Sequence, residues 1–212
     1  MKSDLSTLSD QNSIFKYADD TTLLVPEHTD TNINDEFEHI QVWATVNKLV
    51  INQDKTKEIV FRRPRPSYFH IPLVAGNIEQ LDSVKFLGVM VQNNLKMDVH
   101  VKYVLSQCAQ RMYILKLLKH QRMPLDKLHV VTHSLIVSLV TYALPSWGGF
   151  VSAELINMID GMLRRLRRFG YLKDSIKFQD LLDRYDEELK IYLSACPKRT
   201  TVYVTYYPQL DI

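Results

Sequence analysis

Cysteine is scarce in this chain: its 212 residues hold two, Cys108 and Cys196. So distant a pair excludes a disulfide framework and a cysteine-based metal site, and it favours a reducing, intracellular setting, nuclear or cytoplasmic. Long apolar runs are missing as well. The longest, about Ser134 to Leu144, falls short of the roughly 20 residues a membrane span needs, so no membrane partner is expected. The segment Met1 to Asp10 lacks the apolar core of a signal peptide. Neither an internal repeat nor a low-complexity stretch occurs. What is present is an apolar content of 46%, enough to bury a core in one or two domains.

The net charge of +2 conceals an asymmetry. Through residue 60 there are 5 Lys/Arg against 11 Asp/Glu, a balance of −6, so the remainder carries +8. An acidic segment followed by a basic one suits a protein that handles nucleic acid. A solvated surface with uneven charge is the plainer alternative.

The stretch around which the chain is organised is Phe15-Lys16-Tyr17-Ala18-Asp19-Asp20-Thr21-Thr22-Leu23-Leu24-Val25. Strand-favouring residues flank Ala18, Asp19 and Asp20, and Asp accepts turn geometry, so a β-hairpin with adjacent carboxylates at its tip is expected. Two carboxylates on a tight turn repel each other unless a cation or a proton lies nearby. Mg²⁺ suits such a place because it takes hard oxygen ligands and leaves room for water and phosphates. A pair of such ions can clamp the attacking and leaving oxygens of a phosphoryl transfer. An ordinary polar turn carrying two Asp is the alternative.

Downstream residues add to this reading. Tyr17-Ala18-Asp19-Asp20 resembles the catalytic hairpin of reverse transcriptases, in the form found in LINE-type (non-LTR) retrotransposon enzymes. About 35 residues on, Asn52-Gln53-Asp54-Lys55-Thr56-Lys57-Glu58-Ile59-Val60-Phe61 resembles the next block of that family, and Lys85-Phe86-Leu87-Gly88-Val89 resembles its primer grip. The resemblance reaches to about residue 170 and includes a Tyr-x-x-Pro-x-Trp corner at Tyr142, Pro145 and Trp147. It implies RNA-directed DNA polymerisation with Mg²⁺, deoxynucleoside triphosphates, an RNA template and a DNA primer. Asp19 would be the main metal ligand and Asp20 a weaker second. Tyr17 would border the primer end and nucleotide, Phe86, Leu87 and Gly88 would hold the primer, and Lys55 would assist the departing pyrophosphate.

In that family the fingers, the first half of the palm and a further metal-binding aspartate precede the hairpin. Here Asp4 and Asp10 sit in no matching context. The expectation is therefore late palm (1–94), a helical thumb-like region (95–172), and a C-terminal helix and tail (173–212), without activity alone. A non-catalytic nucleic-acid-binding remnant, or a host-used interaction module, is the alternative.

Periodicity fills in the elements. Thr29, Asp30 or Thr31 is expected to cap a helix with Ile33, Phe37, Ile40, Trp43 and Ala44 inward, and with Asp35, Glu36 and Glu38 answering its dipole. Lys48 would answer the other end. Arg62, Arg63 and Arg65, broken by Pro64 and Pro66, read as a stiff basic connector. Tyr68 to Val74, Ile78 to Leu81 and Val84 to Val91 read as strands, with a turn at Gly76-Asn77.

From about Met97 the period becomes helical, with Val101, Val104, Leu105, Cys108, Met112, Leu115 and Leu118 on one stripe. Residues 96–128 carry 7 Lys/Arg against 2 Asp/Glu, which makes Lys102, Arg111, Lys116 and Lys119 candidate phosphate contacts. Pro124 opens a second helix to about Leu144, where His129 and His133 lie one turn apart without a third ligand. A third helix, about Ser152 to Phe169, has Leu155, Ile156, Ile159, Leu163 and Leu166 on its inner side and ends in Arg164, Arg165, Arg167 and Arg168. That cluster suits a nucleic-acid backbone such as an RNA–DNA hybrid, and equally suits a helix C-terminus. Asp174 to Lys190 reads as a fourth, acidic helix, and Thr200 to Tyr207 has strand composition. The fold class expected is α+β: a small antiparallel palm-like sheet with a covering helix, followed by a helical thumb-like bundle.

Overall fold

The computed structural model describes residues 5–61 and 78–195. The basic connector at Arg62 to Pro66, the strand expected at Tyr68 to Val74, the Gly76-Asn77 turn, Asp4, Cys196 and the tail at Thr200 to Tyr207 lie outside the described residues. The architecture is mixed α and β, as expected. Two compact units divide between Leu95 and Lys96.

The first unit begins with a hairpin. Strands β1 (Ser13–Tyr17) and β2 (Asp20–Leu24) pair antiparallel, from Ser13 opposite Leu24 up to Tyr17 opposite Asp20. Helix α1 (Ile33–Val46) follows. Its cap is Asn32, not Thr29, Asp30 or Thr31: the Asn32 side chain accepts from the backbone N–H groups of Asn34 and Asp35 at 2.9 and 3.0 Å. Thr29 and Asp30 are engaged elsewhere, since Thr29 donates to Asn12 and Ser9 donates to Asp30. The helix ends with Lys48 in the left-handed region (φ 57°), where Leu49 N–H reaches back to Ala44 O at 2.8 Å and satisfies a terminal carbonyl. Ala44 is buried, and Trp43 is half-buried with the Lys16 ammonium 5.5 Å from its ring centroid, a cation–π contact between hairpin and helix.

The single antiparallel sheet is not found among the described residues. Instead there are three separate two-stranded pairings, and one of them, β3 (Lys57–Glu58) with β4 (Glu79–Gln80), is parallel. The strand expected across Val84 to Val91 is folded on itself into β5 (Ser83–Phe86) and β6 (Val89–Gln92). The cause is local closure. A two-residue loop brings strands together at the least entropic cost, and Leu87 (φ 43°) and Gly88 (φ 90°) supply the two positive φ angles of a type I′ turn.

The second unit is helical. Helix α2 (Asp98–His120) buries Val101, Val104, Cys108 and Leu115, the inner part of the expected stripe. After Pro124 comes a rod made of α3 (Leu125–Thr132), a π-helical turn (His133–Val137) and α4 (Ser138–Thr141). Leu125–Phe150 as a whole is long and apolar enough by composition to cross a membrane. In the fold it is broken at Tyr142 and Ala143, and its Leu128, Ile136, Val140, Leu144 and Trp147 are fully buried core residues.

The corner itself is α5 (Leu144–Trp147), entered through Ala143 in the left-handed region. Trp147 donates to Tyr142 O at 3.0 Å and meets His100 edge-on at 4.7 Å and Phe178 at 5.8 Å. Gly148 lies so close to α7 (Phe178–Ala195) that a Cβ there would sit 2.6 Å from a Leu182 methyl. Helix α6 (Ala153–Arg168) turns Leu155, Ile159, Met162, Leu163 and Leu166 inward. Asp160 of α6 accepts from Phe178 N–H at 2.8 Å, so the acidic fourth helix starts on a side chain of the third and shares its core.

Candidate functional site

The opening hairpin closes through a two-residue loop, Ala18-Asp19, with Asp20 already paired as the first residue of β2. The turn is therefore one residue tighter than the reversal expected over Ala18, Asp19 and Asp20. Ala18 holds a φ of 51°, in a region alanine avoids. A two-residue hairpin loop asks for such a φ at its first position, and five other non-glycine residues among those described hold one, Lys48 and Ala143 included. Tyr17, 69% exposed, stands directly across from Asp20, and Asp19 is the loop residue between them in sequence. Both carboxylates are exposed, and neither has a side-chain hydrogen bond or ion pair among the described residues.

These residues fit Mg²⁺ in chemistry. They offer unencumbered hard oxygens at one corner, and Mg²⁺ is commonly held by one or two carboxylates plus substrate phosphates. Among the described residues no group of three or more His, Cys, Asp or Glu is placed to hold a metal. His129 and His133 accordingly remain a pair, on a helix and the π turn that follows it.

Lys55 lies in the same unit, in a turn organised by Asn52. The Asn52 side chain accepts from Lys55 N–H at 3.1 Å, and the Asn52 carbonyl accepts from the Thr56 hydroxyl at 2.8 Å. That explains Asn-x-x-Lys-Thr physically: Asn and Thr tie the turn and leave the lysine ammonium in solvent, without a partner among the described residues. Lys57 next to it is taken, bridging Glu79 at 2.7 Å. Phe86, Leu87 and Gly88 form the tip of the second hairpin, with Phe86 42% and Leu87 38% exposed. Gly88 thus serves a turn, where close backbone approach within a strand was expected. Asp19, Lys55 and Phe86 therefore stand on three separate local structures, which no strand pairing joins among the described residues.

The basic residues of the second unit fall into two groups. Arg111 is half-buried and donates to Leu135 O in the π turn, so it serves the packing of α2 on the rod. Lys119 donates to Phe169 O at 2.6 Å and stands 5.6 Å from the Tyr171 ring centroid. Lys102 and Lys116 are exposed, with Lys102 weakly paired to Asp98 at 3.9 Å.

Arg164, Arg165, Arg167 and Arg168 are all exposed, and none has an ion pair among the described residues. Hydrogen bonds from other groups close the α6 C-terminus, while Arg165, Arg167 and Arg168 stand in its last turn, where their charge also suits the helix dipole. Gly170, at φ 74°, closes it with Tyr171 N–H bonded to Leu166 O at 2.9 Å, and Lys119 takes the carbonyl of Phe169 just beyond. That hydrogen bond comes from a lysine of α2, a partnership across 50 positions that periodicity could not reveal.

Glu36 is the residue whose part the sequence hid most. Expected to face the helix dipole, it is fully buried and holds the segment before β1. It accepts from Leu8 N–H at 3.0 Å, Ser9 N–H at 3.1 Å and Asn12 Nδ2 at 2.7 Å. Burial pushes its pKa up, but the hydrogen bonds from Asn12, Leu8 and Ser9, with the charge of His39, outweigh that and hold it below the ordinary value.

No protein-family model matches this chain, and no curated protein or solved structure matches it either.

Proposed function

We propose that the chain supplies the late palm and thumb of a LINE-type reverse transcriptase, acting inside the cell on an RNA template and a DNA primer. One observation carries this reading: a strained two-residue turn presents two exposed carboxylates that no neighbouring described residue uses. Charge repulsion at such a turn is a standing cost, and a bound cation is its natural compensation. Asp19 and Asp20 would hold Mg²⁺, which when bound polarises phosphate oxygens for nucleotidyl transfer. Tyr17 borders the nucleotide across from Asp20, and the Lys55 ammonium neutralises charge on the departing pyrophosphate. Phe86, Leu87 and Gly88 offer an exposed apolar hairpin tip to the primer.

A second reading has its own support. The arginine face of α6, which has no ion pair among the described residues, favours a chain that binds an RNA–DNA hybrid without completing catalysis. One acidic corner cannot by itself fix two metals and an incoming nucleotide. Primer extension on an RNA template with Mg²⁺ and deoxynucleoside triphosphates separates the two. The 212-residue chain is expected to bind the hybrid and extend nothing. Product that disappears in Asp19→Asn would overturn the non-catalytic reading, and absence of hybrid binding at low salt would overturn both.

A further inference from the structure

The corner where α6 ends carries an exposed aromatic side chain that packing alone does not require. Phe169 is 42% exposed, yet it is held on several sides. Its carbonyl accepts from Lys119. The Arg168 guanidinium lies 5.3 Å from its ring centroid, and Tyr171 meets it edge-on at 6.0 Å. Arg165 sits one turn before it on the same helix surface, its carbonyl accepting from Phe169 N–H at 3.1 Å. Gly170 follows with a positive φ and fixes the direction in which the chain leaves. The ring is thus ordered before any ligand arrives, which lowers the entropy lost on binding.

We propose that Phe169, backed by Arg168, is a stacking platform for an unpaired base of a nucleic acid whose phosphates lie along Arg164, Arg165, Arg167 and Arg168. Charge complementarity identifies the occupant: four guanidinium groups in five residues, none with an ion pair among the described residues, call for a polyanion. The flat aromatic surface, already faced by a guanidinium, calls for a planar π partner attached to it. A bilayer surface fits less well, because from Arg164 to Gly170 only Phe169 offers exposed apolar area, Leu166 being fully buried. This inference rests on the nucleic-acid-binding reading of α6 and narrows it: the corner prefers a strand with an unpaired base over a blunt duplex.

Fluorescence anisotropy with the full chain tests this. The probes are a blunt RNA–DNA hybrid, the same hybrid with a four-base single-stranded overhang, and that overhang with its bases replaced by abasic residues. Stacking of a base on an aromatic side chain predicts a preference of about 5-fold or more for the base-bearing overhang over the other two probes. Phe169→Ala and Phe169→Leu should both abolish the preference and leave blunt-hybrid affinity within about 2-fold; Phe169→Trp should keep it. Equal affinity of the wild type for all three probes overturns the platform while the arginine reading stands. No binding to any probe overturns both. Loss of blunt-hybrid binding in Phe169→Leu reassigns the ring to structure and overturns the platform. Phe169-dependent binding to phosphatidylserine vesicles, without preference among the nucleic acids, overturns it in favour of a membrane surface.

Discussion

The Nδ2 of Asn12 donates to Oε1 of Glu36 across 2.7 Å, joining two buried polar groups that stand 24 positions apart. The carboxylate also takes the N–H groups of Leu8 and Ser9. The segment before β1 is thereby folded onto α1, with Leu5 buried at its start. The hairpin carrying Asp19 follows directly from this anchored segment, so its entry is fixed by a buried charge.

Glu36→Gln keeps the size of the side chain but puts an N–H₂ where backbone donors point. A destabilisation of about 1–3 kcal/mol is expected in denaturant melts of the first unit. The pH dependence follows from the lowered pKa. Unfolding releases the carboxyl to its higher, ordinary value, so the contribution is complete above the ordinary carboxylate range and disappears as pH falls through the lowered folded value. Melts between pH 3 and 7 should show this acid sensitivity in the wild type and a flatter profile in Glu36→Gln. Parallel profiles would remove Glu36 as the anchor.

His100 makes the second unit acid-sensitive at a different place. It is 3% exposed beside Trp147, and burial lowers its pKa from the ordinary 6.5. Protonation favours the unfolded chain, so the stability it contributes is whole above about pH 6.5 and erodes as pH falls toward the folded value. Thermal melts followed by Trp147 fluorescence, with Trp43 replaced by Phe so that only this ring reports, should show the loss below pH 6.5 when His100 is present. A His100→Leu variant should show less of it. An unchanged slope in the variant would assign the sensitivity to other groups.

Lys119 and the α6 arginines are predicted to separate cleanly. Lys119→Met removes the hydrogen bond to Phe169 O and the contact with Tyr171, and should lower stability by at most about 1 kcal/mol. Replacing Arg164, Arg165, Arg167 and Arg168 with Gln should leave melting nearly unchanged. It should weaken hybrid binding for all sequences alike and flatten the dependence of log K on log salt, because fewer counterions are released. A melting drop in the arginine variant with an unchanged salt slope would return the cluster to helix capping.

Much of the helical part was legible because side-chain spacing reports burial directly. Val101, Val104, Cys108 and Leu115 are the buried line of a stripe whose Leu105, Met112 and Leu118 are half-buried, and α6 buries Leu155, Ile159, Leu163 and Leu166 with Ile156 half-buried beside them. Pro124 marks a helix start that backbone chemistry dictates. The strands were harder to read, because Val84 to Val91 has the composition of one strand, Gly88 fits a strand approached by backbone as well as a turn, and leucine gives no sign of the φ of 43° that Leu87 takes. The tip residues of both hairpins were legible as types but not as conformations. The roles of Glu36 and Lys119 were not legible, since each depends on a donor or acceptor distant in sequence and a charged side chain carries no mark of its partner. Arg111 shows the same limit: it counts as a basic residue in the sequence and bonds a carbonyl in the fold.

The hairpin supplies the last prediction, which separates a metal corner from a polar turn. A turn that needs its Asp side chains for internal hydrogen bonds should lose stability when one becomes Asn. Here neither carboxylate has such a bond among the described residues, so Asp19→Asn is expected to relieve repulsion and leave metal-free stability equal or slightly higher. If Asp19 and Asp20 hold Mg²⁺, the wild type should gain stability on adding it, and the variant should gain less. Linkage makes that gain small until the ion well exceeds its dissociation constant, so the titration must run through millimolar concentrations with a Ca²⁺ series beside it. A rise of Tm with Mg²⁺ in the wild type, reduced in Asp19→Asn, is the expected result. A variant that melts lower without metal, together with a wild type indifferent to Mg²⁺, would make the turn merely polar and remove the catalytic reading of the hairpin.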